Sequence, residues 1–77
     1  MATPSRNVEC EVISYEEEGD TIVLNCLKDN DVMDYRIALT TLLQELRYVD
    51  ISTLEESLPL RVRILMLGNT VQNIEAM

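Results

Sequence analysis

The chain has 77 residues, of which six are basic, fourteen are acidic and none is histidine, giving a formal net charge of -8. This length predicts a single domain, because a second hydrophobic core needs roughly 100 further residues. Without histidine, Ser-His-Asp triads and most zinc sites are excluded, and the acidic balance disfavours binding to a nucleic-acid backbone.

The apolar runs of the sequence are short. The longest, residues 64–67, is far below the ~20 residues needed to cross a bilayer. No basic segment followed by an apolar one marks a secretory signal. We therefore expect a cytoplasmic protein with no membrane partner, whose cysteines are reduced.

The chain begins with seven residues that show no periodic pattern. Residues 1–7 are predicted to form a disordered arm, followed by one small β-barrel domain over residues 8–77. Alternation of apolar and polar residues predicts a first strand from Val8 and a second strand over residues 22–27.

The loop between these strands sets their register. A three-residue loop over residues 17–19 would place Cys10 directly opposite Cys26 and bury both as reduced thiols. Gly19 would then be the last loop residue, in a left-handed conformation.

Turn chemistry also locates the third strand. Asn and Asp tolerate positive φ, so Asp29-Asn30 favours a type I′ turn that pairs Cys26 with Met33. The third strand is predicted over residues 32–39, with Met33 facing inward.

The apolar spacing becomes helical over residues 41–58. Thr41 with Gln44 and Ser52 with Glu55 fit capping boxes, and Pro59 ends the helical segment. A fourth strand over residues 60–67, a Gly68-Asn69 turn and a fifth strand over residues 70–76 follow. The apolar residues of the fifth strand are out of phase, which indicates a bulge or an edge position.

Five strands with one helical connection after the third predict a mainly β fold. This order is typical of a small five-stranded Greek-key barrel of the OB type, and an SH3-like barrel or an α+β sandwich is the alternative. The prediction depends on element order and loop lengths alone. No motif in the chain resembles that of a known family.

No residue pattern in the chain predicts an enzyme. Residues 29–34 begin like a calcium loop, but Asp34 and Thr40 stand where Gly and Glu are required. Cys10 and Cys26 lack the spacing of a redox or metal motif, and the acids over residues 16–20 are typical of a solvated turn. We expect no catalytic residue, no cofactor and no metal.

The fourth strand is the most informative surface because it carries apolar residues on both rows. Its outer row is predicted to form an interface of four residues: Arg61, Arg63, Leu65 and Leu67. Either the helix over residues 41–50 covers the leucines or another protein does.

We expect a non-catalytic, small acidic protein–protein interaction module that self-associates into a homo-oligomer through strand 60–67. The arginines of one copy would lie near acids of the other. The alternative is an acidic mimic of nucleic acid that inhibits a DNA- or RNA-binding protein, which requires a spaced array of acids on one face. Binding of nucleic acid itself is not expected, since three tyrosines are the only aromatic residues.

Overall fold

The computed structural model describes residues 4–77 and confirms the mainly β fold. The elements in chain order are β1 Ser5–Glu18, β2 Thr21–Lys28, β3 Asp31–Ala38, α1 Leu39–Leu46, α2 Ser52–Ser57, β4 Leu60–Leu67 and β5 Thr70–Ala76. The five strands form one antiparallel sheet with the order β3-β2-β1-β4-β5.

The sheet is open. β3 and β5 are its two edges, and no ladder joins these edges within residues 4–77. The predicted OB-type barrel is therefore not confirmed. β1 is the long central strand: its first part pairs with β4 from Ser5 to Val12, and its second part pairs with β2 from Glu11 to Glu18.

The first strand begins within the segment predicted to be an N-terminal arm. Residues 1–3 lie outside the described part of the chain. Ser5, Arg6 and Asn7 belong to β1 and pair with Leu67, Met66 and Leu65 of β4. The backbone of this segment therefore pairs with β4. The polar side chains of the segment show no alternating pattern from which a strand could have been predicted.

The β1–β2 hairpin has a different register from the predicted one. Glu18 pairs with Thr21, so the turn is the two-residue Gly19-Asp20, and Val12 rather than Cys10 lies opposite Cys26. An extra residue in β1, Ile13, forms a bulge that restores the inward row after the shorter turn.

The turn conformations follow from their residue types. Gly19 and Gly68 each have a φ of 62°, and each begins a two-residue turn, as type II′ geometry requires. The positive φ predicted for Gly19 is therefore confirmed, but Gly19 opens a two-residue turn instead of closing the predicted three-residue loop. Asp29 and Asn30 have φ values of 52° and 70°, which confirms the type I′ turn.

The pairings on the other two ladders agree with the sequence. β3 has the predicted register, in which Cys26 pairs with Met33 and Leu24 pairs with Tyr35. Gln72 is the extra residue of a bulge in β5, which explains the out-of-phase apolar residues of this strand.

Both predicted capping boxes are wrong. α1 begins two residues earlier than Thr41, and its N-cap is Ala38, which makes no side-chain hydrogen bond. At α2, Ser52 is the first helical residue, and the carboxylate of Asp50 accepts hydrogen bonds from its backbone N–H, at 2.9 Å, and from its hydroxyl. Asp50 thus performs the capping role that the sequence assigns to Ser52.

The core lies on one face of the sheet, under both helices. Its fully buried members include Val12, Ile22, Leu24, Leu42, Leu54, Val62, Ile64 and Ile74. Leu42 and Leu54 belong to the same cluster as the inward residues of the sheet, so α1 and α2 cover the inner face. The outer face of the sheet carries no helix.

Candidate interaction surface

The structure places the four predicted interface residues on the outer face of a central strand. Arg61, Arg63, Leu65 and Leu67 alternate with the buried residues Val62, Ile64 and Met66. Leu65 is half-buried and Leu67 is 38% exposed. Because α1 and α2 pack on the inner face, neither helix covers these leucines.

Short polar side chains surround both leucines. Asn7 of β1 and Asn73 of β5 are the cross-strand neighbours of Leu65. These residues, with Arg63, Ile74 and Glu75, line a shallow concavity of about 120 Å³. Ser5 and Thr70 flank Leu67 in the same way. The leucines therefore stand in a polar rim with no bulky neighbour over them.

The arginines of this row have acidic neighbours within the same chain. Arg63 lies between Glu9 and Glu75, and its guanidinium donates a hydrogen bond to the Glu75 carboxylate at 2.9 Å. Exposed pairs of this kind stabilise a fold by about 0–1 kcal/mol. Arg61 faces Glu11 on β1 but forms no ion pair within residues 4–77.

A second apolar corner lies at the opposite end of the outer face. Leu27 pairs with Val32, and they are 36% and 59% exposed. Ile13 in the β1 bulge is 40% exposed. The exposure of Ile13 and Val32 was not predicted from the sequence. Val23, which lies on β2 with Leu27, is buried.

Acidic residues are spread along the outer face but alternate with basic ones. Glu9, Glu11, Glu16 and Glu18 lie along β1, and the last of them is 3.5 Å from the Arg36 guanidinium. Glu16, Glu17 and Glu18 are strand residues, so the predicted acidic turn is reduced to Gly19-Asp20. Among residues 4–77, no group of three His, Cys, Asp or Glu side chains could hold a metal ion.

The two cysteines are free and buried, as predicted, but they are diagonal neighbours on β1 and β2 rather than direct partners. The Cys26 thiol donates a hydrogen bond to the backbone carbonyl of Leu24 at 3.9 Å. Interaction with the Cys26 thiol lowers the pKa of Cys10, with Lys28 and Arg61 acting in the same direction and burial opposing them. The same interaction and burial raise the pKa of Cys26.

Comparison with known proteins gave no match, whether against protein-family models, curated proteins or solved structures. Within residues 4–77, neither helix is long and apolar enough to cross a membrane.

Proposed function

We propose that the protein is a non-catalytic interaction module that forms a homodimer through the outer face of β4. The observation that supports this proposal is the uncovered pair Leu65 and Leu67 on a strand whose other side is fully buried. A domain of this size buries only about 60% of its unfolded surface. Covering the leucines would therefore add stability that the single chain lacks.

The interface must extend beyond the two leucines. A stable dimer buries about 800 Å² per partner, which is roughly a sixth of the 5140 Å² surface of this chain. The polar rim around Leu65, including Asn7 and Asn73, supplies the adjoining area. In this arrangement the leucines form the apolar centre, and the asparagines donate and accept hydrogen bonds at the rim.

Charge sets the conditions for association. Each chain has a formal charge of -8, so two copies repel each other at low ionic strength. The Debye length is about 8 Å at 0.15 M salt and shorter above it. The dimer is therefore expected to strengthen as salt is added. Arg61, which has no ion pair within residues 4–77, is the arginine available for a carboxylate of the second copy.

Two matched substitutions test this surface. Leu67→Asp places a carboxylate in the proposed interface, and Val32→Asp places one at the second apolar corner of the same face. Both residues are exposed, so neither change creates a buried charge. Light scattering after size exclusion should give a monomer for Leu67→Asp and a dimer for Val32→Asp. A dimer for Leu67→Asp, or a monomer for Val32→Asp alone, would place the interface elsewhere.

An acidic mimic of nucleic acid is the second candidate. Four glutamates along the outer face of β1 favour it, while Arg36 on β3 and Arg61 and Arg63 on β4 interrupt the acidic array. A mimic would bind a basic DNA-binding protein and be displaced by DNA. Removing only the outer glutamates would abolish that binding, whereas Leu67→Asp would leave it intact.

We also propose that the five-stranded sheet closes into an OB-type barrel in solution. β1 pairs with both β2 and β4, and the helices lie between β3 and β4 in the chain, as in OB barrels. Met33 of β3 and Val71 of β5 line one groove, so the two edges approach each other. Slow amide exchange along the facing edges of β3 and β5 would indicate closure in solution.

A further inference from the structure

A groove opens at one end of the inner face, between the beginnings of the two edge strands. Two adjoining cavities of about 260 and 290 Å³ form this β3–β5 groove. Arg6, Met33 and Tyr35 line both cavities and therefore mark their junction. All lining residues belong to the strands or to the turns between them, so neither α1 nor α2 contributes to the walls.

Apolar side chains form the floor of the β3–β5 groove. Val8, Tyr35 and Met66 are only 5%, 8% and 4% exposed and belong to the hydrophobic core. Met33, which is 48% exposed, and the half-buried Val71 lie nearer the surface. Methionine side chains are flexible and fill irregular space. The groove therefore suits a flexible apolar chain.

The Tyr35 hydroxyl at the junction lacks a strong hydrogen-bond acceptor. Within residues 4–77 it donates only to the thioether sulfur of Met33, at 3.7 Å, and a thioether is a weak acceptor. A carboxylate oxygen accepts stronger, charge-assisted hydrogen bonds. An anionic oxygen at the junction would therefore be a better partner for this phenol than the sulfur is.

Arg6 supplies positive charge at the same junction. Its side chain is exposed and forms no ion pair within residues 4–77. Arg6 is the cross-strand partner of the inward Met66, whereas the adjacent Asn7 lines the concavity on the outer face. A guanidinium can donate two parallel hydrogen bonds to one carboxylate. Arg6 is thus available to an anion in the groove.

The acidic residues of the groove lie away from the junction. Asp29 and Asp31 line only the first cavity, which Lys28 also lines. Asp34 lines only the second cavity, beside Arg36. Each cavity thus has a basic residue near its acids, while the junction holds a guanidinium and a phenol but no carboxylate. An anionic group is therefore best placed at the junction.

We propose that the β3–β5 groove binds a medium-chain fatty acid. The carboxylate of the ligand accepts hydrogen bonds from Arg6 and Tyr35 at the junction. The alkyl chain lies over Met33, Met66 and Val71. A concave, mainly apolar cleft of ~300–1,000 Å³ with a few converging polar groups is the usual form of a small-molecule site, and the two adjoining cavities together reach this size. The site is on the inner face and is independent of the proposed dimer surface.

Methyl NMR with decanoate as the probe tests the site, at neutral pH and below the concentration at which micelles form. The methyl signal of Met33 should shift until the site is saturated, whereas that of Met77, which lines neither cavity, should not. Decanol has an alkyl chain of the same length but no charge. It should bind about 10- to 100-fold more weakly, the factor expected for hydrogen bonds to a charged group.

Two matched arginine variants test recognition of the carboxylate. Arg6→Gln should weaken decanoate binding by about 10- to 100-fold and leave decanol binding unchanged. Arg47→Gln is the control, because Arg47 is also exposed but lines neither cavity, and this variant should bind as the unmodified chain does. Tyr35→Phe keeps the ring of the floor and removes the phenol donor, so it should also weaken decanoate binding selectively.

Three results would overturn the fatty-acid site. These are no saturable shift of the Met33 methyl signal, equal affinity for decanoate and decanol, and equal loss of affinity in the two arginine variants. N-acetylleucine presents a carboxylate as a peptide end does, and it should bind more weakly than decanoate because its shorter apolar part buries less surface. Tighter binding of N-acetylleucine would contradict a fatty acid as the ligand.

Discussion

Replacing Gly19 by alanine should change the stability of the fold in opposite directions for the L and D forms of the residue. Gly19 has a φ of 62°, and a Cβ added there would meet no atom within 4 Å. The cost of an L side chain is therefore conformational alone. At a sparsely populated φ this cost is about 1–3 kcal/mol, and the reduced entropy of the unfolded chain offsets about 0.4–1 kcal/mol of it. Gly19→Ala should therefore lower the free energy of unfolding by about 1.3 kcal/mol, the middle of a net range of about 0 to 2.6 kcal/mol.

A D-alanine at position 19 is the matched control, accessible because 77 residues can be assembled by chemical synthesis. Its side chain prefers positive φ, so only the unfolded-state effect remains, and stability should rise by about 0.4–1 kcal/mol. Urea midpoints at one protein concentration measure both changes. Gly19→Val should destabilise at least as much as Gly19→Ala. Equal midpoints for the L and D variants would refute a II′ turn at Gly19-Asp20.

Two further predictions concern the β1 bulge and the α2 cap. Deleting Ile13 removes only the unpaired bulge residue, so the chain should keep its fold by circular dichroism. Loss of fold in this deletion would contradict the assigned bulge. Hydrogen bonds from the hydroxyl and the backbone N–H of Ser52 lower the pKa of Asp50 in the folded protein from its ordinary value of 3.8. The charged Asp50 carboxylate therefore stabilises the fold above pH 3.8, and this stabilisation is lost as the pH falls through the pKa of Asp50 in the folded state. Asp50→Ala should therefore reduce the melting temperature at pH 7 but not near pH 2, and an equal reduction at both pH values would show that the charge is unimportant.

Short-range chemistry made the β2–β3 hairpin predictable. Asp29 and Asn30 both adopt positive φ, which few other residue types tolerate, and the turn then determines every pair along the ladder. The same holds for Gly68. These features depend on residues adjacent in sequence, so a single chain contains the information needed.

The β1–β2 register could not be predicted for a specific physical reason. A three-residue loop without a bulge and a two-residue turn with a bulge place the same apolar residues inward. Ile13 is apolar and gives no signal that it is the extra residue. The sequence therefore identified Cys10 and Cys26 as buried neighbours but assigned the wrong partner to each.

Pairings between segments that are distant in sequence account for the remaining differences between the predicted and the observed structure. Periodicity placed Arg61, Arg63, Leu65 and Leu67 on one row, and the structure keeps them there. Periodicity could not show that β4 lies beside β1. It also could not show that β3 is an edge strand, and for this reason Met33 remains 48% exposed although it faces inward. Closure of the sheet depends on such non-local contacts, and no local pattern encodes it.

Sedimentation equilibrium of the unmodified protein tests the proposed dimer most directly. Samples diluted downward from about 100 μM in 0.15 M salt should show a mass of twice 8.8 kDa at the highest concentration and should shift toward 8.8 kDa on dilution. The midpoint of that shift should move to lower concentration when salt is raised. A mass of 8.8 kDa at every concentration and salt condition would contradict the self-association of the outer face of β4.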